Sequence, residues 1–229
     1  MSARVKVLLG FALLAVAPLC NAQYTMDLTG VGNGTVADGV YVSPYVGTIS
    51  GPGMSYSGYL ICDDFNTESY LNSPWTATLS NAGALNGTQK FGSSPGSSIM
   101  FDGTSYSIQQ AYNAAGWLAN GLLANLNNST TQTNYAFAIW DLFDGQSTDP
   151  SGGAQWLEAA ALAASSGTHP YVAANVSVFT PNPLNSSQEF LVVQQAPEMD
   201  PAAATSAFTL LLGSALVLRA RRKPGHAPA

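Results

Sequence analysis

Basic side chains are almost missing from the body of this chain. Between residues 23 and 195 Lys90 stands against eleven acids, Asp27, Asp38, Asp63, Asp64, Glu68, Asp102, Asp141, Asp144, Asp149, Glu158 and Glu189, a net of minus ten. Nucleic acid is excluded as a partner, because phosphate binding needs Lys and Arg. The surface must be solvated by Ser, Thr, Asn and Gln, which suits a secreted protein in a crowded polymer matrix. Cysteine is equally scarce: there are two, Cys20 and Cys62. If Cys20 leaves with an N-terminal leader, the mature protein holds Cys62 alone and forms no internal disulfide. His169 precedes Pro170 and His226 lies beyond the body, so neither a histidine-based triad nor a zinc site is assembled. The Gly30-Val31-Gly32-Asn33-Gly34 run leads into a β-like stretch rather than a helix, which excludes a phosphate loop. These gaps predict a protein that is not an enzyme, with no catalytic residue, no metal and no cofactor.

What is present begins at the two ends. Arg4 and Lys6 precede an apolar stretch over residues 7–17 and then Pro18-Leu19-Cys20-Asn21-Ala22. This is the pattern of a secretory signal peptide over residues 1–22, with the cut between Ala22 and Gln23. At the other end, Pro197-Glu198-Met199-Asp200-Pro201 is followed by an apolar run over residues 202–218 and then by Arg219, Arg221, Arg222 and Lys223. Seventeen residues lie at the lower edge of what a helix needs to cross the hydrocarbon of a bilayer, and the cations mark the cytoplasmic side. The two prolines hold the acidic segment extended and keep the helix from growing upstream.

An acidic proline motif, a membrane helix and an arginine cluster in this order resemble the PEP-CTERM class of sorting signals. The resemblance covers residues 197–223 and implies processing by an exosortase-type membrane enzyme. Met199 stands where the family has proline, so the tail resembles a variant subclass. A plain single-pass membrane anchor is the alternative.

Between the two signals one domain is expected over residues 23–195, with no repeat and no internal linker. Residues 40–42, 45–49, 56–62 and 75–79 are β-branched or aromatic runs bounded by Gly, Pro, Ser and Asn, and predict strands. Ile108, Tyr112, Ala115, Ala119, Leu122 and Leu126 recur at helical spacing. A second helix is expected after a polar loop over 127–134, carrying Ala136, Phe137, Ile139, Trp140 and Phe143. A third is expected over 154–165, stopped by Gly167, with strands returning at 175–179 and 189–193. The sum is an α+β fold, a β-sandwich or barrel with an inserted helical lobe, plus one C-terminal membrane helix.

Within this domain Tyr59-Leu60-Ile61-Cys62 ends a hydrophobic strand, and Tyr135-Ala136-Phe137-Ala138-Ile139-Trp140 carries an Ala-Ile-Trp signature. Together they resemble the thioester domains of bacterial surface adhesins, over roughly residues 56–143. The resemblance implies a Cys62 thiol facing a glutamine with which it would condense, losing ammonia, behind a shield of aromatic side chains. Ala136 occupies the position of that glutamine, and an alanine supplies no acyl group. Gln132, Gln109 and Gln110 are the candidate substitutes. The plainer reading makes Cys62 a small buried hydrophobe and Phe137 and Trp140 core.

Asp63-Asp64 with Asn66 and Glu68, and Asp141 with Asp144 and Asp149, are acidic groups of calcium-binding type without the spacing of a calcium loop; solvated turn carboxylates are expected. The Asn-x-Ser/Thr triplets and a crosslink from Lys90 to an amide side chain are further possibilities the sequence leaves open. The functional expectation is an exported, membrane- or surface-anchored structural or adhesive protein of the envelope or extracellular matrix. Its expected partners are an exosortase-type enzyme, the membrane, and extracellular polysaccharide or other surface proteins. The alternative is a secreted glycan hydrolase, or a covalent thioester adhesin using Cys62.

Overall fold

The computed structural model describes residues 22–92, 96–145 and 152–194. Of the signal peptide expected over 1–22 only Ala22 is described, and the expected sorting motif at 197–201, membrane helix at 202–218 and basic cluster at 219–223, with Asp149 and His226, lie outside the described residues. No helix among the described residues is long and apolar enough to cross a membrane.

Among the described residues ten strands and three α-helices follow one another as β1 Gln23–Gly30, β2 Val36–Ala37, β3 Val40–Tyr41, β4 Tyr45–Gly51, β5 Met54–Cys62, β6 Trp75–Asn81, β7 Ser98–Phe101, β8 Thr104–Ser107, α1 Ile108–Ala124, α2 Ser129–Asp144, α3 Gly153–Ser166, β9 Val176–Pro181 and β10 Phe190–Val193, with a 3-10 turn at Lys90–Gly92. Six of the strands close a barrel in the order β1-β4-β5-β10-β9-β6, every pair antiparallel. The closing contact between β5 and β10 is short, joining Ile61 and Cys62 to Leu191 and Phe190. Of the two expected architectures the structure is thus the barrel, and its helices are inserted between β6 and β9.

The barrel is filled by alternate side chains. Tyr24, Met26 and Leu28 of β1 point inward and meet Ile49, Leu60, Ala77, Phe179, Phe190 and Val192. β9 and β10 are buried at every position, because their outer faces are covered as well. There Val176, Val178, Leu191 and Val193 join the second core, built from Tyr112, Leu118, Leu122, Phe137, Ile139 and Leu162 of the helices. A strand that is apolar on both faces is what a sheet between a barrel interior and a helical layer requires. Each aliphatic side chain so enclosed contributes about 1.5–3 kcal/mol relative to exposure.

Local chemistry sets the helix limits. Ser107 accepts from the backbone N–H of Gln110 while the Gln110 side chain reaches back to Ser107, a capping box that starts α1. α2 starts at Ser129, well inside the segment expected to be a polar loop. Asn128 caps it by accepting from Thr131 N–H, and Thr133 folds its hydroxyl onto the Ser129 carbonyl. A polar first turn with a good cap remains helical. β1 and the β7–β8 hairpin are elements the sequence reading did not anticipate. α1 comes so close to the chain entering β9 that a Cβ on Gly116 would lie 2.4 Å from that of Ala173.

Candidate functional site

The end of β5 delivers Cys62, Asp63 and Asp64 into the seam between barrel and helices. Cys62 is 6% exposed and both aspartates are fully buried. The expectation of solvated turn carboxylates at Asp63 and Asp64 is therefore corrected. β10 pairs with β5 at Phe190 and Cys62, and the Asp63 N–H donates to the Glu189 carbonyl at 3.3 Å, so the ladder carries both aspartates indoors.

Cys62 is placed as a core residue. Its Sγ lies 3.2 Å from the Asp64 carbonyl and 3.4 Å from the Asp64 N–H. Burial, followed by the charge of Asp63, pushes its thiol well above the usual range, so it stays protonated near neutral pH and is a poor nucleophile. Trp140 Nε1 donates to the Cys62 carbonyl at 3.0 Å and ties α2 to the end of β5. Cys62, Ala136 and Trp140 line one void of about 10 Å³, room for a single water at most. Ala136 shares this void with Cys62 and supplies no acyl group. The three substitute glutamines are engaged elsewhere. Gln109 accepts from Leu85 N–H and donates to the Ala82 carbonyl, Gln110 serves the α1 cap, and Gln132 binds Asn33 and the Leu126 carbonyl.

Behind Cys62 lies a group of side chains on which the sequence reading placed no site. Glu189 is fully buried; it accepts from Tyr112 Oη, from Thr180 Oγ1, and from the Lys90 N–H at 2.8 Å. Burial raises Glu189, while these donors oppose the rise. Asp63 is raised well above the carboxyl range, by burial first and then by the charges of Glu189 and Asp64. Burial thus pushes both carboxyls toward the neutral acid, Asp63 the more strongly because the charges of Glu189 and Asp64 add to it. Tyr112 is raised too, by burial and then Glu189, and remains a phenol donor. Lys90 reaches in with Nζ 2.5 Å from Asp64 Oδ2 and 2.6 Å from Thr67 Oγ1. Phe65 and Phe137 flank Trp140, and Phe91 and Tyr112 flank Phe143, giving an aromatic layer beside the cluster. The signal that could have found it is a lone lysine in a chain with two consecutive aspartates after an apolar strand.

Two surface depressions lie away from the seam. One, about 560 Å³, is lined by Met100, Phe101, Asp102, Asp141, Gly145, Gln155, Glu158 and Ala159. Asp141 and Glu158 are buried to within a few per cent, and burial together with Asp141 pushes Glu158 up to about 8. The other, about 520 Å³, has no charged residue in its lining: Trp117, Tyr135 and Tyr171 with Asn120, Gly121 and Asn175. Tyr171 Oη accepts from Asn120 Nδ2 at 3.1 Å, and Asn175 Nδ2 donates to Asn120 Oδ1 at 3.2 Å, which fixes the groove's polar groups. Asp144 faces neither: it binds the Phe65 N–H and Asn66 Nδ2 and locks the 65–66 turn onto the end of α2. His169 is exposed on the loop after α3. No group of three or more His, Cys, Asp or Glu among the described residues is arranged to hold a metal ion.

No family model matches the chain, and no curated protein matches it. Among solved structures it is similar to the N-terminal thioester domain of surface protein from Clostridium perfringens, at 11% identity with a TM-score of 0.43, over 75% of this chain and 98% of that chain.

Proposed function

We propose that this protein is an exported, non-enzymatic structural or adhesive component of the envelope or extracellular matrix, sorted through its C-terminal signal and holding neutral polysaccharide in the Trp117/Tyr135/Tyr171 groove. The observation that carries the reading is the groove itself. Three aromatic rings half sunk in the core offer flat apolar faces, and side-chain amides at the rim offer hydrogen bonds. That pairing suits the apolar and hydroxyl faces of a sugar ring, and a cleft without charge suits an uncharged polymer. β1 begins at Gln23 and β10 ends at Val193, so cleavage after Ala22 and processing near Glu198 would both spare the barrel. An exosortase-type enzyme, the membrane and matrix polysaccharide are its proposed partners.

The test of the groove is retention of the protein on neutral polysaccharide columns, with Trp117→Ala and Tyr171→Ala compared. Loss of retention in both, with unchanged melting, is expected; equal retention of both variants defeats the groove. Protease shaving of whole cells tests the location, and a body protected from external protease opposes it.

A second reading has one observation in its favour. Glu158, raised to about 8, and Asp141 line an open pocket, the combination of a proton-holding acid with a second carboxyl that glycoside hydrolysis uses. Release of reducing sugar from a polysaccharide, lost in Glu158→Gln, would favour the hydrolase. For the covalent thioester, the Ala136 position and the committed glutamines weigh against Cys62. A mature protein lighter by one ammonia, restored by Cys62→Ala, would reinstate it.

A further inference from the structure

We propose that Lys90 and Asp64 join covalently, Nζ to Cγ, as an internal isopeptide crosslink between the end of β5 and the turn that precedes the helical lobe. Nζ stands 2.5 Å from Oδ2, with the lysine side chain 14% exposed and the aspartate 0%. The contact is an ion pair without hydrogen-bond alignment, and neither Asp64 carboxyl oxygen gains a hydrogen bond among the described residues. A fully buried carboxylate normally collects several donors, so this pairing leaves much of the desolvation cost of both charges uncompensated. An amide removes both charges.

The reacting atoms are held from behind. The Asp64 carbonyl accepts from Gln188 Nε2 at 2.9 Å and its N–H meets Cys62 Sγ, while the Lys90 N–H is bound to Glu189 Oε2 at 2.8 Å. Glu189 thereby fixes the lysine, and its own backbone carbonyl fixes the neighbouring Asp63. Two groups so restrained in a site shut away from water react as if at very high concentration. The Phe91 ring, 5.4 Å from Nζ, forms part of the wall.

The step balances without an outside reagent. A proton passes from the Nζ ammonium to Oδ2, giving a neutral amine and a neutral acid. The amine adds to Cγ, forming the Nζ–Cγ bond. The Cγ–Oδ2 bond then breaks, and Oδ2 leaves as water carrying the first proton and a second one from nitrogen. The remaining amide N–H keeps Thr67 Oγ1 as its acceptor, at the place where Nζ already donates at 2.6 Å.

The lone lysine supplies a direct test. Lys90 is the single Lys or Arg between residues 23 and 195, so trypsin has one site in the body, and an acylated lysine is not cut. The full chain is expressed in a secreting host, denatured after recovery and treated with trypsin, beside Lys90→Arg prepared in the same way. The wild-type body is expected to stay whole while Lys90→Arg falls into two pieces. Chymotryptic digestion is expected to yield the Lys90 and Asp64 peptides joined and one water lighter than their sum. This separates the crosslink from a dehydrated Asp-Gly at Asp38, Asp102 or Asp144. Cleavage of most of the denatured wild type at Lys90, with its Nζ open to an amine label, overturns the proposal. The wild-type result alone decides, even if Lys90→Arg folds poorly.

Discussion

Two groups of buried acids in this molecule are treated in opposite ways. At the seam, Asp64 is given a lysine and Glu189 a phenol, a threonine hydroxyl and a backbone N–H. At the open pocket, Glu158 has Asp141 for a neighbour and no lysine or arginine, and it answers by holding its proton up to about pH 8. Burial costs a charge the same in both places, but the seam supplies partners to Asp64 and Glu189 and pushes Asp63 toward the neutral acid, whereas the pocket supplies no cation and neutralises Glu158. A chain with a single cation in its body can supply partners once, and this one does so where barrel and helices meet. That choice marks the seam as the structural keystone and leaves the pocket the more readily altered of the two.

Breaking the comparison at its strong end gives the largest effect. Lys90→Met strands Asp64 in the core and removes the proposed crosslink with it, and a loss of at least about 3–5 kcal/mol, the usual result of removing one member of a buried pair, is expected in urea unfolding. A loss under about 1 kcal/mol would mean the seam tolerates its acids unaided.

The weak end responds to pH instead. Glu158 holds its proton more tightly folded than unfolded, so its contribution is full below its ordinary value near 4.5 and is lost as pH rises through about 8. Glu158→Gln should flatten the decline in melting temperature across that window and leave acidic pH almost unaffected. An unchanged slope would show that Glu158 is solvated.

Smaller effects sharpen the seam. Trp140→Phe removes the donor to the Cys62 carbonyl while keeping most of the ring, and should cost about 1–3 kcal/mol, read by unfolding. Cys62→Ala should cost about 1 kcal/mol and leave the protein's mass otherwise unaltered, because the thiol is a packing group.

The elements that carry apolar periodicity were legible in the sequence. α1 was visible in the spacing from Ile108 to Leu122, and β5, β6, β9 and β10 in their β-branched runs. β1 was overlooked although Tyr24, Met26 and Leu28 alternate, because its residues follow directly on the segment expected to be a leader. The start of α2 was obscured by its polar composition, which speaks for a loop until Asn128 is recognised as a cap. The carboxyl seam was not legible at all: Asp63-Asp64 reads as a turn, and its partners Lys90, Tyr112, Thr180 and Glu189 are scattered through the chain. Only closure of the barrel brings them together, and no short-range pattern encodes that.

The proposed delivery of this body by its tail is tested most directly by the C-terminal residue of the mature protein in fractionated cells, wild type beside Glu198→Ala. The account predicts a wild-type chain that ends near Glu198 outside the inner membrane and a variant that keeps residues 202–223 within it. An uncut tail in the inner membrane for both would contradict it.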